Sequence, residues 1–94
     1  MDDAQTKELF GGLVLMFHAA CMQHLGKTAN PTTGKVERNL NQAQISIDLL
    51  EMLSRRTAGN LSEDESRLLA RTLQELKLNY VDETLKDQGS QATS

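Results

Sequence analysis

The sequence predicts an all-α protein built from three helices, and three observations lead to that fold class. Only 3% of the 94 residues are aromatic while 38% are hydrophobic, so the core must consist mainly of Leu, Ile, Met and Ala, which favour helix packing. Valine occurs only at positions 14, 36 and 81, and no stretch alternates with the period of two that strands require. Apolar residues recur instead at helical spacing, and the length suits one domain, over residues 1–87.

The first helix is predicted over residues 3–25. Asp2 or Asp3 can accept hydrogen bonds from the amides of the first turn. Gly26 suits the left-handed position that follows many helices. A loop containing Pro31 and Gly34 separates this helix from the next one, because both residue types interrupt regular structure.

The second helix is predicted over residues 40–58. Asn39 is its expected N-cap, with Gln42 as the partner in a capping box, and Gly59 ends it. One apolar stripe runs along this helix at spacings of three and four residues. The stripe consists of Leu40, Ala43, Ile47 and Leu50.

The third helix is predicted over residues 63–86, because Ser62 and Glu65 have the spacing of a capping box. Its apolar stripe consists of Leu69, Leu73, Leu76 and Tyr80. The connection from the second helix is short, so these two helices should form an antiparallel hairpin. Residues 88–94 have the polar composition of a disordered tail.

The first helix differs from the others because it is apolar around nearly its whole circumference. Residues 9–26 contain no Asp, Glu, Lys or Arg, and that length is close to the minimum for crossing a bilayer. His18, Gln23 and His24 interrupt the segment, and it lacks the aromatic and basic anchors of a membrane span. We therefore expect this helix to be covered by protein.

Two partner helices in the same chain cannot cover a helix that is apolar on all sides, so the sequence predicts a homo-oligomer, most simply a twofold dimer. The expected interface lies on the first helix. It comprises Leu9, Phe10, Gly12, Leu13, Met16, Phe17, Ala20 and His24. Small residues at positions 11, 12 and 19 would let another backbone approach closely; a kink or a frayed first turn is the alternative explanation of the two glycines.

His18, Cys21 and His24 are the residues that could suggest chemistry. Positions 18 and 24 lie about 120° apart around a helix, so the three side chains cannot converge on one metal ion from a single chain. A metal or ligand site would need a second copy, and a binding protein with such a site in the oligomer core is the alternative function. His24 can instead cap the last carbonyls of its helix, and a buried Cys21 would be unreactive. We expect no cofactor and no enzymatic activity.

The charge of the chain bears on its partners and its location. The net charge is −3 and the pI is near 5.3, which argues against nucleic-acid binding, since that function usually requires a basic face. One cysteine cannot form an internal disulfide. The first ten residues carry acids where a secretory signal would carry basic residues. The expectation is a cytoplasmic protein that acts through an unidentified protein partner.

The order of these features resembles a family of small bacterial proteins, domain-of-unknown-function family 1844. The resemblance covers residues 8–83, and its most specific part is the IDLLEML segment followed by GNLS. The matching stretches are 9–16, 24–26, 30–35, 47–53, 59–65 and 73–81. The resemblance implies a cytoplasmic bacterial protein without an established activity. His24 belongs to the shared pattern, whereas His18 and Cys21 do not.

Overall fold

The computed structural model describes residues 1–93, and over that range it contains three α-helices and no strand. The helices are α1 (Asp3–His24), α2 (Leu40–Arg56) and α3 (Glu63–Thr93). The predicted all-α class with three helices is thus confirmed. The first two helices end within two residues of their predicted ends, which is the usual uncertainty of a helix boundary.

Both ends of α1 are closed by local hydrogen bonds. The carboxylate of Asp2 accepts from the backbone N–H of Gln5 at 2.8 Å, and the side-chain oxygen of Gln5 accepts from the N–H of Asp2 at 3.1 Å. Gly26 adopts a φ of 79°, which glycine reaches without steric cost. The N–H of Lys27 then donates to the carbonyl of Met22 at 2.9 Å, so the chain leaves α1 in the predicted manner.

The start of α2 is tied to the end of α1. Asn39 caps α2 as predicted, since its side-chain oxygen accepts from the N–H of Gln42 at 3.1 Å. The capping box itself is incomplete, because the N–H of Asn39 donates to the carbonyl of His24 at 2.7 Å rather than to Gln42. The long loop therefore begins and ends at the same place in the fold.

The capping box of α3 forms as predicted. Ser62 N–H donates to Glu65 Oε1 at 2.8 Å, and Glu65 N–H donates to Ser62 Oγ at 3.2 Å. The far end differs, because α3 continues to Thr93 rather than ending at residue 86. No proline interrupts residues 87–93, and one glycine costs only about 1 kcal/mol in a helix. Of the segment predicted to be a disordered tail, residues 88–93 are thus helical, and Ser94 lies outside the described residues.

The helices form a three-helix bundle in which each helix contacts both others. His18 of α1 lies 3.1 Å from Glu75 of α3, and Lys27, just after α1, lies 2.8 Å from Glu83. Because both pairs have nearly the same sequence separation, α1 and α3 run parallel. α2 starts beside the end of α1 and runs back, antiparallel to both.

Among the residues whose burial is described, nine form the core, and they come from all three helices and from Leu25, just after α1. They are Val14, Cys21, Leu25, Ala43, Ile47, Leu50, Leu69, Leu73 and Leu76. Three residues of each predicted stripe are buried, while Leu40 and Tyr80 pack against the edge of the core. Within residues 1–93, no helix combines the length and the apolar character needed to cross a membrane.

Candidate functional site

One face of α1 is apolar and uncovered. Leu9 is 61% exposed and Met16 is 70% exposed, and Leu13 between them is 39% exposed. The opposite side of α1 carries the core residues Val14 and Cys21. The chain thus buries one side of its most apolar helix and leaves the other side to solvent.

α2 extends this surface. Glu51 marks the side of α2 that faces α3, because it pairs with Lys77. Ala43 marks the side that faces α1, because its carbonyl lies 3.6 Å from Cys21 Sγ. Continuing around the helix in the same direction leads to Leu49, which is 40% exposed, and then to Ile45, which is 48% exposed. These two side chains therefore flank the uncovered side of α1, opposite α3.

We call this surface the open face and define it as Leu9, Gly12, Leu13, Met16 and Ala20 of α1 with Ile45 and Leu49 of α2. None of these seven residues carries a charge. A contiguous apolar surface that spans two helices is typical of interaction sites, whereas single exposed apolar side chains are common on any protein.

Gly12 has no neighbour that requires a glycine. A Cβ atom added there would meet no atom within 4 Å, whereas one added at Gly11 would lie 3.8 Å from Leu68 of α3. α1 is continuous through both glycines, so neither of them frays or ends it. Because glycine lowers helix stability by about 1 kcal/mol relative to alanine, Gly12 has a cost without a compensating contact inside the chain.

The structure divides the predicted interface residues into three groups. Leu9, Gly12, Leu13 and Met16 are exposed. Phe10 and Phe17 pack against the core, and their place in an oligomer interface stays a prediction. They lie seven positions apart and thus on one side of α1, next to the line of buried residues. Ala20 and His24 are half-buried at the border.

The three residues considered as metal ligands, His18, Cys21 and His24, lie in different surroundings. The His18 ring is hydrogen-bonded to Glu75 at the surface, whereas Cys21 is buried and its thiol donates to the carbonyl of Ala43. His24 is half-buried at the end of α1. Among residues 1–93, no three His, Cys, Asp or Glu side chains lie together as a metal site would require.

Cys21 should be unreactive in the native protein. Burial raises the pKa of its thiol to about 11, so the nucleophilic thiolate is scarce at neutral pH. We expect a disulfide reagent such as DTNB to modify Cys21 at least about a hundredfold more slowly in the native protein than in urea-unfolded protein. The absorbance of the released thiolate measures the reaction. Equal rates in the native and the unfolded protein would contradict the burial of Cys21.

Glu83 is the most deeply buried acid of the described chain. It is 6% exposed, and its carboxylate accepts hydrogen bonds from Lys27 at 2.8 Å, Lys86 at 2.8 Å and Arg38 at 3.3 Å. These bonds lower the pKa of Glu83 to about 2, with Lys27 as the largest cause. Two cations from the loop between α1 and α2 are thus held against α3.

Two further acids complete this ionic cluster, which consists of Lys27, Arg38, Asp82, Glu83, Lys86 and Asp87. Lys27 also contacts Asp82 at 3.1 Å, and Arg38 forms an ion pair with Asp87. The hydrogen bonds of Lys27 to Glu83 and then to Asp82 raise the pKa of Lys27, and the bond from Lys27 lowers the pKa of Asp82. Because its charges are paired with one another, the cluster fastens the loop to α3 rather than offering an unpaired charge to a ligand.

Asp82 and Lys86 are the one pair of this cluster that lies four residues apart on a helix, a spacing that a sequence shows directly. The contribution of Lys27 and Arg38 depends on how the loop returns to α3. No local pattern encodes that return, so no sequence signal could have shown it.

The chain matches a protein family rather than an individual protein. No curated protein and no solved structure matches the chain. A family model described as a domain of unknown function, DUF1844, matches residues 7–82. This range begins inside α1 and includes all of α2, the loop with Lys27 and Arg38, and the first two thirds of α3. The resemblance seen in the sequence is confirmed, and the chain belongs to the DUF1844 family.

Proposed function

We propose that this chain is a non-enzymatic cytoplasmic protein that works through protein–protein contacts, as an adaptor or regulatory subunit, and that it forms a homodimer through the open face. The observation that carries the proposal is the exposure of apolar side chains along α1, above all Met16 at 70% and Leu9 at 61%. Soluble monomers rarely leave a surface of this kind uncovered.

The size of the open face suits a dimer. The open face runs from Leu9 to Ala20, about 17 Å along α1, and the neighbouring helix axis adds about 10 Å of width. With side chains included, a face of about 25 by 20 Å gives about 500 Å² per protomer, or about 1,000 Å² for both, which is about the smallest area of a specific interface.

A second copy is the partner that fits this face most simply. α1 and α2 form an antiparallel pair, and a twofold axis in front of them would place a second antiparallel pair against the first. The result is a four-helix bundle, in which apolar faces of this width are normally buried. α3 would then lie on the outside of each protomer.

The titratable groups support a function without catalysis. Cys21 is the only thiol of the chain, and its raised pKa makes it a poor nucleophile. The buried carboxylate of Glu83, with a pKa of about 2, carries no proton to donate at neutral pH. Both groups are better suited to holding the fold than to transferring protons or electrons.

The test of the dimer is the molar mass in solution. We expect the native chain to be a dimer, and Met16→Glu to be a folded monomer because its charge would have to be buried in the interface. Light scattering after size exclusion measures the mass, and circular dichroism measures the helix content.

Leu78→Glu is the matched control, since Leu78 is 64% exposed on the outer side of α3. This variant should remain dimeric. A native chain of monomeric mass, or a Met16→Glu variant that stays dimeric, would contradict the proposal.

A further inference from the structure

We infer that the two α1 helices of the dimer pair antiparallel, with the twofold axis at the level of Val14, so that Met16 of each chain packs over the partner's Gly12. This inference rests on the proposed function and specifies the geometry of the same surface. It follows from three properties of α1, which are the alternation of large and small residues on its open face, the charge of its N-terminal turns and the direction of its helix dipole.

Met16 and Gly12 are complementary in shape. Met16 is the most exposed large hydrophobic side chain of α1, and a Cβ atom added at Gly12 would have no neighbour within 4 Å. The two residues are four positions apart, so they lie on the same side of the helix, one turn from each other. A twofold axis between them brings each methionine over the glycine of the other chain, in two equivalent contacts.

A second pair of residues has the same midpoint. Leu9 is 61% exposed and large, while Ala20 is small and half-buried on the same side of α1. The Gly12–Met16 pair has its midpoint at residue 14, and the Leu9–Ala20 pair has its midpoint half a residue further on. This difference is less than about 1 Å along the helix axis. One antiparallel register therefore places both large residues against small ones.

A parallel arrangement lacks this fit. It would set Met16 against Met16 and leave Gly12 facing Gly12, so the interface would alternate between crowding and gaps. Close packing of large residues against small ones is what lets two helices approach each other.

Electrostatics favour the same direction. The first turns of α1 contain Asp2, Asp3 and Glu8 against a single Lys7. Parallel pairing would bring two such acidic turns together, while antiparallel pairing separates them by about the 33 Å length of the helix. Antiparallel helix dipoles also attract each other, whereas parallel dipoles repel.

Disulfide trapping distinguishes the two directions. We would prepare Leu9→Cys and Ala20→Cys chains, keep Cys21 because it is buried, mix the two variants so that subunits exchange, and oxidise with diamide. In the antiparallel dimer two Leu9 positions lie about 15 Å apart along α1, whereas Leu9 lies beside the partner's Ala20. Since disulfides need Cα atoms within about 7 Å, the mixed product should exceed either self-pair about tenfold.

The native chain, which contains only Cys21, serves as the control and should give no covalent dimer. Self-pairing of Leu9→Cys as efficient as the mixed reaction would mean a parallel dimer and overturn the inference alone. A dimeric mass without any disulfide would place the interface on another surface and also overturn it. A monomeric mass of the native chain would instead overturn the proposed function, so the two failures are distinguishable.

Discussion

Replacing Leu76 with alanine is expected to lower the free energy of unfolding by about 3 kcal/mol, because the removed atoms leave a cavity that the surrounding helices fill only in part. Leu76 is fully buried, and it belongs to the core that all three helices share. A domain of this size has a total stability of about 5–10 kcal/mol, so the loss is a large fraction. Urea unfolding followed by circular dichroism at 222 nm measures it.

Leu78→Ala is the matched control, because it removes the same atoms from the same helix only two positions away. Leu78 is 64% exposed, and its replacement should change the free energy of unfolding by less than about 0.5 kcal/mol. Equal losses in the two variants would mean that the two sides of α3 are not distinguished by burial.

Replacing Glu83 with glutamine is expected to lower the free energy of unfolding by about 2 kcal/mol. Glutamine keeps the shape of the side chain but removes the charge that Lys27, Arg38 and Lys86 share. Breaking a fully buried ion pair costs about 3–5 kcal/mol, and the lower value takes account of the partial exposure of the three cations. Glu63→Gln is the control, since Glu63 is 86% exposed and its loss should cost less than about 0.5 kcal/mol.

The same carboxylate gives the native protein a characteristic dependence on pH. Its pKa is lowered from 4.5 to about 2 in the folded state, so its contribution is fully present above pH 4.5 and is lost as the pH falls from 4.5 toward 2. The free energy of unfolding, measured in urea at pH 7, 4.5 and 3, should therefore fall less with decreasing pH in Glu83→Gln than in the native chain. An equal fall in both proteins would show that Glu83 is not held by its three cations.

The parts of the fold that the sequence predicted are those with local causes. Asp2, Asn39 and Ser62 each cap a helix through a partner three residues away, and the buried stripes of α2 and α3 recur every three or four residues. Such signals are contained within one or two turns. They need no knowledge of how the helices meet.

The orientation of α1 could not be predicted in the same way. Its apolar residues surround the helix, so no stripe indicates which side faces the core. Only the packing against α2 and α3 turns Phe10 and Phe17 inward and leaves Leu9 and Met16 outside. The open face was therefore predicted as a region, but its exact members were not.

The hydrogen bond from Asn39 to the carbonyl of His24 has a practical consequence for engineering. The two ends of the loop over residues 25–39 meet at that bond, 2.7 Å apart, and Thr32 and Thr33 at its tip are exposed. Lengthening a loop whose ends are already joined adds little entropic cost, about 0.6 kcal/mol for each doubling. The tip is thus a natural insertion point for an epitope or a fluorescent reporter, at the end of the bundle and away from the middle of the open face.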